Sequence, residues 1–308
     1  MRGKRLGNWR GIVCAALLCA TLFTGCDQKK GETGKETAAP TDQPVASPED
    51  TSTNLGAWTR AMGSVLIEMN EGNAYVFGGY EKTEDNKASA VKILKSSWGI
   101  EDKKTLLEKI STLLKTGDRA AFREEARDMN AMSKKKLKTA MKQLSGDMLV
   151  HYQMIQYNWK TWKKKGLLAW DMCRISHLAQ WGYIADYLTL EEAQAVMEPA
   201  VKKCRNNFRS WDEVQNNWLD GYCLFATIDR KAANTDYTVR KNLYEELKGE
   251  QKKGNLLYDD QLFSQEIKSL SGYSYQSIMK EGLPTKKPAA TPKVKSKTKA
   301  KSKEEAER

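Results

Sequence analysis

The chain is poor in histidine, in internal proline and in long apolar runs, and each scarcity excludes something. Only His151 and His177 are present among 308 residues. They lie far apart, with no Cys-x-x-Cys or His-x-x-x-His spacing, so neither a zinc module nor a histidine-rich metal centre is expected. Of seven prolines, only Pro199 falls between residues 49 and 283, which favours helix over that whole stretch. The one markedly apolar run, Gly11 to Phe23, is too short to span a bilayer as a stable helix. No Gly-x-Gly-x-x-Gly, P-loop or Gly-x-Ser-x-Gly motif occurs, so no nucleotide cofactor or serine nucleophile is implied. Six cysteines exclude a disulfide-dense mini-domain.

The net charge of +12 is concentrated at the ends. Residues 1–10 carry four bases and no acid, residues 284–308 carry nine bases against three acids, and the body keeps only +2. A uniformly basic, nucleic-acid-binding fold is therefore not expected. The basic start followed by the apolar run reads as a signal peptide over 1–25. The run ends in Leu22-Phe23-Thr24-Gly25-Cys26, which resembles a bacterial lipoprotein signal. That resemblance implies cleavage before Cys26, lipidation of its thiol, and a cell-envelope protein facing the periplasm or exterior. Phe23 departs from the usual leucine of that pattern. Residues 26–54 hold three prolines and almost no large apolar side chain, the composition of a flexible tether. Residues 284–308 alternate lysine with small residues from Lys293 to Lys303, a disordered tail suited to anionic lipid or another polyanion. Without aromatics it cannot stack on bases, so sequence-specific nucleic-acid recognition is not expected.

Residues 55–283 read as a mostly α-helical, single compact domain. Trp58, Met62, Val65, Leu66 and Met69 share one helical face, and Leu106, Leu107, Ile110, Leu113 and Leu114 share another. Gly117 breaks the second helix, and Asp118 is placed to cap the next. Thr189 with Glu192 and Ser210 with Glu213 form capping boxes, the first opening a helix through Phe208 that Pro199 should kink. Further helices are expected at 136–144, 148–165, 235–248 and 259–270. Ala74 to Phe77, before Gly78-Gly79, is either a short strand or a packed loop.

The segment 167–188 places apolar side chains in nearly every direction of a helix, the mark of a central, buried element. Asp171 and Arg174, three residues apart among tryptophans, can pair directly. They are either a buried ion pair that fixes helix docking, or the wall of a pocket in which Arg174 binds an anion or Asp171 accepts a proton. Trp159 and Trp162 with Lys160, Lys163, Lys164 and Lys165 form a second candidate surface, suited to a membrane or a sugar polymer. Cys173 and His177 meet the i,i+4 distance of a thiol–imidazole pair. Cys173, Cys204 and Cys223 are an odd set, either one disulfide with a free thiol or three buried thiols.

Ala169-Trp170-Asp171, Arg174, Trp181-Gly182-Tyr183, Glu191-Glu192-Ala193, Ser210-Trp211 and Gly221, with Trp98-Gly99-Ile100, Gly117-Asp118-Arg119 and Phe122 upstream, resemble the bacterial family called domain of unknown function twelve-sixty-six. The resemblance covers roughly residues 90–228 and departs at Asp118, at Asp186 and after Gly221. It implies no activity, because the family has none assigned. Trp170, Asp171, Arg174, Arg119 and Trp211 are the candidate pocket or buried-pair residues. No catalytic residue, metal ligand or cofactor is assigned. The expected function is a lipid-anchored binding module, with an envelope protein as a further partner; the alternative is a hydrolase-like enzyme built on Asp171 and Arg174.

Overall fold

The computed structural model describes residues 53–250 and 257–283, and the described residues are helical with no strand. The expectations for Cys26, for most of the tether and for the lysine tail fall outside them. The N-terminal part comprises α1 (Leu55–Met69), α2 (Glu84–Trp98), α3 (Lys103–Lys115), α4 (Arg119–Asn130), α5 (Lys134–Lys142) and α6 (Gly146–Trp162), the last followed by a 3-10 turn at Lys163–Lys165. Then come α7 (Leu168–Ile184), α8 (Leu190–Ala195), α9 (Glu198–Asn207), α10 (Trp211–Phe225), α11 (Asp236–Glu250), α12 (Asp260–Ser264) and α13 (Tyr275–Gly282).

The expected central helix is α7. Of its seventeen residues only Arg174 and Tyr183 escape full burial. Helices α1, α2, α3, α8, α9 and α10 pack around it, so its all-round apolar pattern is satisfied from every side. Close approach requires small residues where helices cross α7. A Cβ on Gly221 would lie 2.4 Å from Trp170 Cβ, and one on Gly63 would lie 2.4 Å from Gln180 Nε2. Ser176 Oγ donates to the Thr59 carbonyl at 2.6 Å, and Gln215 Nε2 donates to the Ala61 carbonyl at 2.9 Å. These buried bonds fix the register of α1 against α7 and α10.

Pro199 does not kink one long helix. It sits in the first turn of α9, and the chain breaks at Val196–Met197 instead. Proline lacks an N–H but is accepted where the helix has no use for one. The expected helix at 259–270 shrinks to the five residues of α12. Beyond it, Asn54 donates to the Glu266 carbonyl and accepts from the Lys268 N–H, at 2.8 and 2.9 Å. Thr53 and Asn54, the last residues assigned to the tether, are thus docked and buried. Residues 74–77 form turns, not a strand, with Ala74 and Phe77 buried.

Candidate functional site

Gly117, at φ +56°, ends the turn after α3 and presents the first amides of α4 to the side of α7. Asp171 fills that position. Its Oδ1 accepts the Asp118 N–H at 2.9 Å, and its Oδ2 accepts the Arg119 N–H at 3.3 Å and Arg119 Nη1 at 2.6 Å. The same guanidinium donates to the carbonyls of Leu113 and Leu114 at 2.7 and 2.8 Å. A carboxylate therefore caps the positive end of α4 while an arginine caps the negative end of α3, and the two neutralise each other. Asp171 is 0% exposed and the Arg119 side chain 5%. Burial pushes the Asp171 carboxyl up to about 6, with the hydrogen bond and charge of Arg119 opposing the rise.

The expected Asp171–Arg174 pair is present only as a long contact, because each residue has a closer partner. Arg174 Nη1 lies 4.0 Å from Asp171 Oδ1 but 2.5 Å from Asp118 Oδ2. Asp118 also accepts Trp170 Nε1 at 3.0 Å. Its side chain makes no cap bond to α4, because it is turned outward to Arg174. The Arg174 guanidinium rests over Trp98, Trp170 and Phe225, with centroids at 4.7, 5.0 and 5.9 Å. Asp171 thus points into the fold and Arg174 out of it, although both belong to one helix.

A Cβ on Gly117 would stand 2.1 Å from Asp171 Oδ2. Gly117→Ala is expected to cost about 2–4 kcal/mol, combining the left-handed backbone penalty with overpacking of a sealed carboxylate. Denaturant unfolding measures it; a loss below 1 kcal/mol would mean the junction is loose.

Trp211 is not part of this cluster. It packs at a tilt against Trp58, with ring centroids at 4.4 Å, and edge-to-face against Phe263 at 5.1 Å, and its Nε1 donates to the Asp259 carbonyl at 2.9 Å, pinning the segment before α12. Asp220 is a second buried acid that the sequence reading did not select. It accepts Arg230 Nε at 2.6 Å and Trp162 Nε1 at 2.8 Å. Its position inside the apolar run from Trp218 to Leu224 was the available signal. Trp162 is thereby part of an internal network, and only Trp159 of the pair faces an open groove.

Cys173, Cys204 and Cys223 are free and buried, and burial pushes the Cys223 thiol up to about 12. His177 is pushed down to about 3 by burial, with Arg174 adding to the shift, while the Cys173 thiol is pushed well up. A thiolate–imidazolium pair needs the opposite shifts, so these two residues are core. Among the described residues, no three His, Cys, Asp or Glu side chains are placed to hold a metal. No described helix is long and apolar enough to cross a membrane.

Two adjoining surface hollows lie beside α4 and α6, of about 600 and 300 Å³. Neither is lined by Asp171 or Arg174. No curated protein and no solved structure matches the chain. A family model does match, over residues 93–254, a span that contains Trp98, Asp118, Arg119, Trp170, Asp171, Arg174 and Trp211. The chain belongs to the family described as Protein of unknown function (DUF1266).

Proposed function

We propose that this protein is a lipid-anchored component of a bacterial cell envelope whose helical domain is a non-enzymatic binding module. The single observation that carries the binding reading is the sealing of Asp171. Both its oxygens are occupied by Arg119 and backbone amides at 0% exposure, so it has no route to a substrate proton. That argues against the hydrolase built on Asp171 and Arg174. The larger open hollow is lined mainly by arginine, lysine and Trp159, with Glu124, chemistry suited to holding an anionic partner rather than to breaking a bond. The anchoring part rests on the basic leader, the Gly25-Cys26 junction and the polar tether. Its partners are then the membrane through Cys26, anionic lipid or another polyanion through the lysine tail, and another envelope protein.

Labelled fatty acid distinguishes the anchor from an ordinary leader. The wild-type chain is expected to incorporate the label and Cys26→Ser to lose it entirely. Labelling that persists in Cys26→Ser would remove the anchor from this account.

A further inference from the structure

The two hollows share Trp159 and form one groove of two halves. At one end stand Arg123, Arg127, Lys163 and Lys164 with the acid Glu124, and Arg127 Nε also lies 3.5 Å from Asp128. At the other, Met129, Leu137 and Ile155 make an apolar floor with Lys160 at the edge. No carboxylate among the described residues forms an ion pair with Arg123, Lys160, Lys163 or Lys164. Arg123 is steadied by donating to the Lys164 carbonyl at 3.4 Å.

Helix α5 adds to this face. Its sequence KKKLKTAMK leaves no residue fully buried. Leu137 and Met141 lean on the core while Lys134, Lys135, Lys136, Lys138 and Lys142 are exposed. Before it stands Met132 and after it Met148, 44% and 46% exposed. On α6, Met148, Tyr152, Ile155 and Trp159 recur at helical spacing along one face. Helix α5 thus turns its lysines outward, and the exposed Met132 and Met148 stand on the flanking segments beside that basic face.

We propose that this α4–α5–α6 face docks on anionic phospholipid, with the headgroup phosphate among Arg123, Arg127, Lys163 and Lys164 and the upper acyl region against the half-buried Trp159 and Leu137. The proposal deepens the membrane-anchored reading and rests on it for the presence of a bilayer. Charge complementarity selects the occupant. Arg123, Lys163 and Lys164, none of which forms an ion pair among the described residues, call for an anionic surface, and the apolar floor of the other half gives a free phosphate nothing to bind. Each lysine near such a surface adds attraction that salt screens. The lysine tail is separate, so removing it leaves the groove contact intact.

The test uses the full chain reconstituted into phosphatidylcholine vesicles with or without phosphatidylglycerol, each containing a quencher-labelled lipid. The Trp159 signal is the difference between the wild-type chain and Trp159→Phe. This signal is expected to be quenched several-fold more strongly with phosphatidylglycerol. The excess should vanish in the double variant Lys163→Glu, Lys164→Glu, whose sites are exposed, and survive in a chain ending at Leu283. Equal quenching in both vesicle types, or quenching unchanged by charge reversal, would overturn the proposal. So would an excess lost only on removal of the tail. Release of the chain from both vesicle types by a high-salt wash would instead contradict the Cys26 anchor. The phosphatidylglycerol-dependent quenching, read before the wash, keeps the two outcomes apart.

Discussion

Asp171→Ala is expected to cost about 3–5 kcal/mol, and Arg119→Ala a similar amount, because either change leaves a buried charge without its partner. Each mutant also uncovers helix ends: the first amides of α4 lose their acceptor in one, and the last carbonyls of α3 lose their donors in the other. In a domain of this size the loss corresponds to a melting-temperature drop of about 6–20 °C. Arg174→Ala should behave differently, despite standing on the same helix. Its pair with Asp118 is at the surface, where the Asp118 side chain is 47% exposed. Lost stacking on Trp98 and Trp170 adds to the cost, for a total of about 1–2 kcal/mol. Equal losses at Asp171 and Arg174 would mean that the two form one pair, as their spacing alone suggested.

The second large effect is a pH-dependent reversal at His177. The ring is sealed among Trp181, Trp218 and Gly63, with Arg174 and Arg240 as the nearby charges. Its folded pKa of about 3 lies below the ordinary value of 6.5. Between those values the unfolded chain binds a proton that the folded chain refuses, so stability falls as pH falls below 6.5. By pH 4 the histidine alone has removed about 3 kcal/mol. Asp171 works in the opposite direction. Its raised pKa of about 6 means that the fold takes up a proton first, gaining stability as pH falls from 6 towards 3.8. Comparison with His177→Gln cancels the Asp171 contribution. At pH 7 the variant should be the less stable by about 1–2 kcal/mol, through imperfect packing and loss of the hydrogen bond between the ring and the Gly63 backbone. At pH 4 it should match or exceed the wild type. A stability difference that stays constant from pH 7 to pH 4 would show that His177 is accessible to protons in the folded state.

The architecture was legible where apolar spacing was dense. The face of α1 and the all-round pattern of α7 follow from side-chain directions, and the Thr189–Glu192 capping box appears in the structure with both reciprocal bonds. Helices α2 and α13 were not anticipated because their stripes are sparse. Only Ala90, Ile93 and Leu94 are buried in α2, and only Ile278 in α13. Residues 265–270 could not be placed from local pattern, since their backbone is captured by Thr53 and Asn54, more than two hundred positions away. The site was half legible for a related reason. Helical spacing brings Asp171 and Arg174 within reach of one another, but it cannot say that a glycine turn will deliver the amino end of α4 to Asp171. The string Gly117-Asp118-Arg119 carried that information: a residue free to adopt positive φ, then an acid turned outward, then a base turned inward. Only the packed structure shows that the two acids and two bases exchange partners between the segments. The same packing separates Trp211 from this lock.

Whether Asp171 is locked architecture rather than a reactive group is decided most directly by two double-mutant cycles, Arg119→Ala with Asp171→Ala, and Arg174→Ala with Asp171→Ala, read by denaturant unfolding. A coupling of about 2–3 kcal/mol in the first cycle and under 0.5 kcal/mol in the second is the expected result. Strong coupling to Arg174 and none to Arg119 would contradict the exchange of partners and return Asp171 to the surface pocket as a candidate for chemistry.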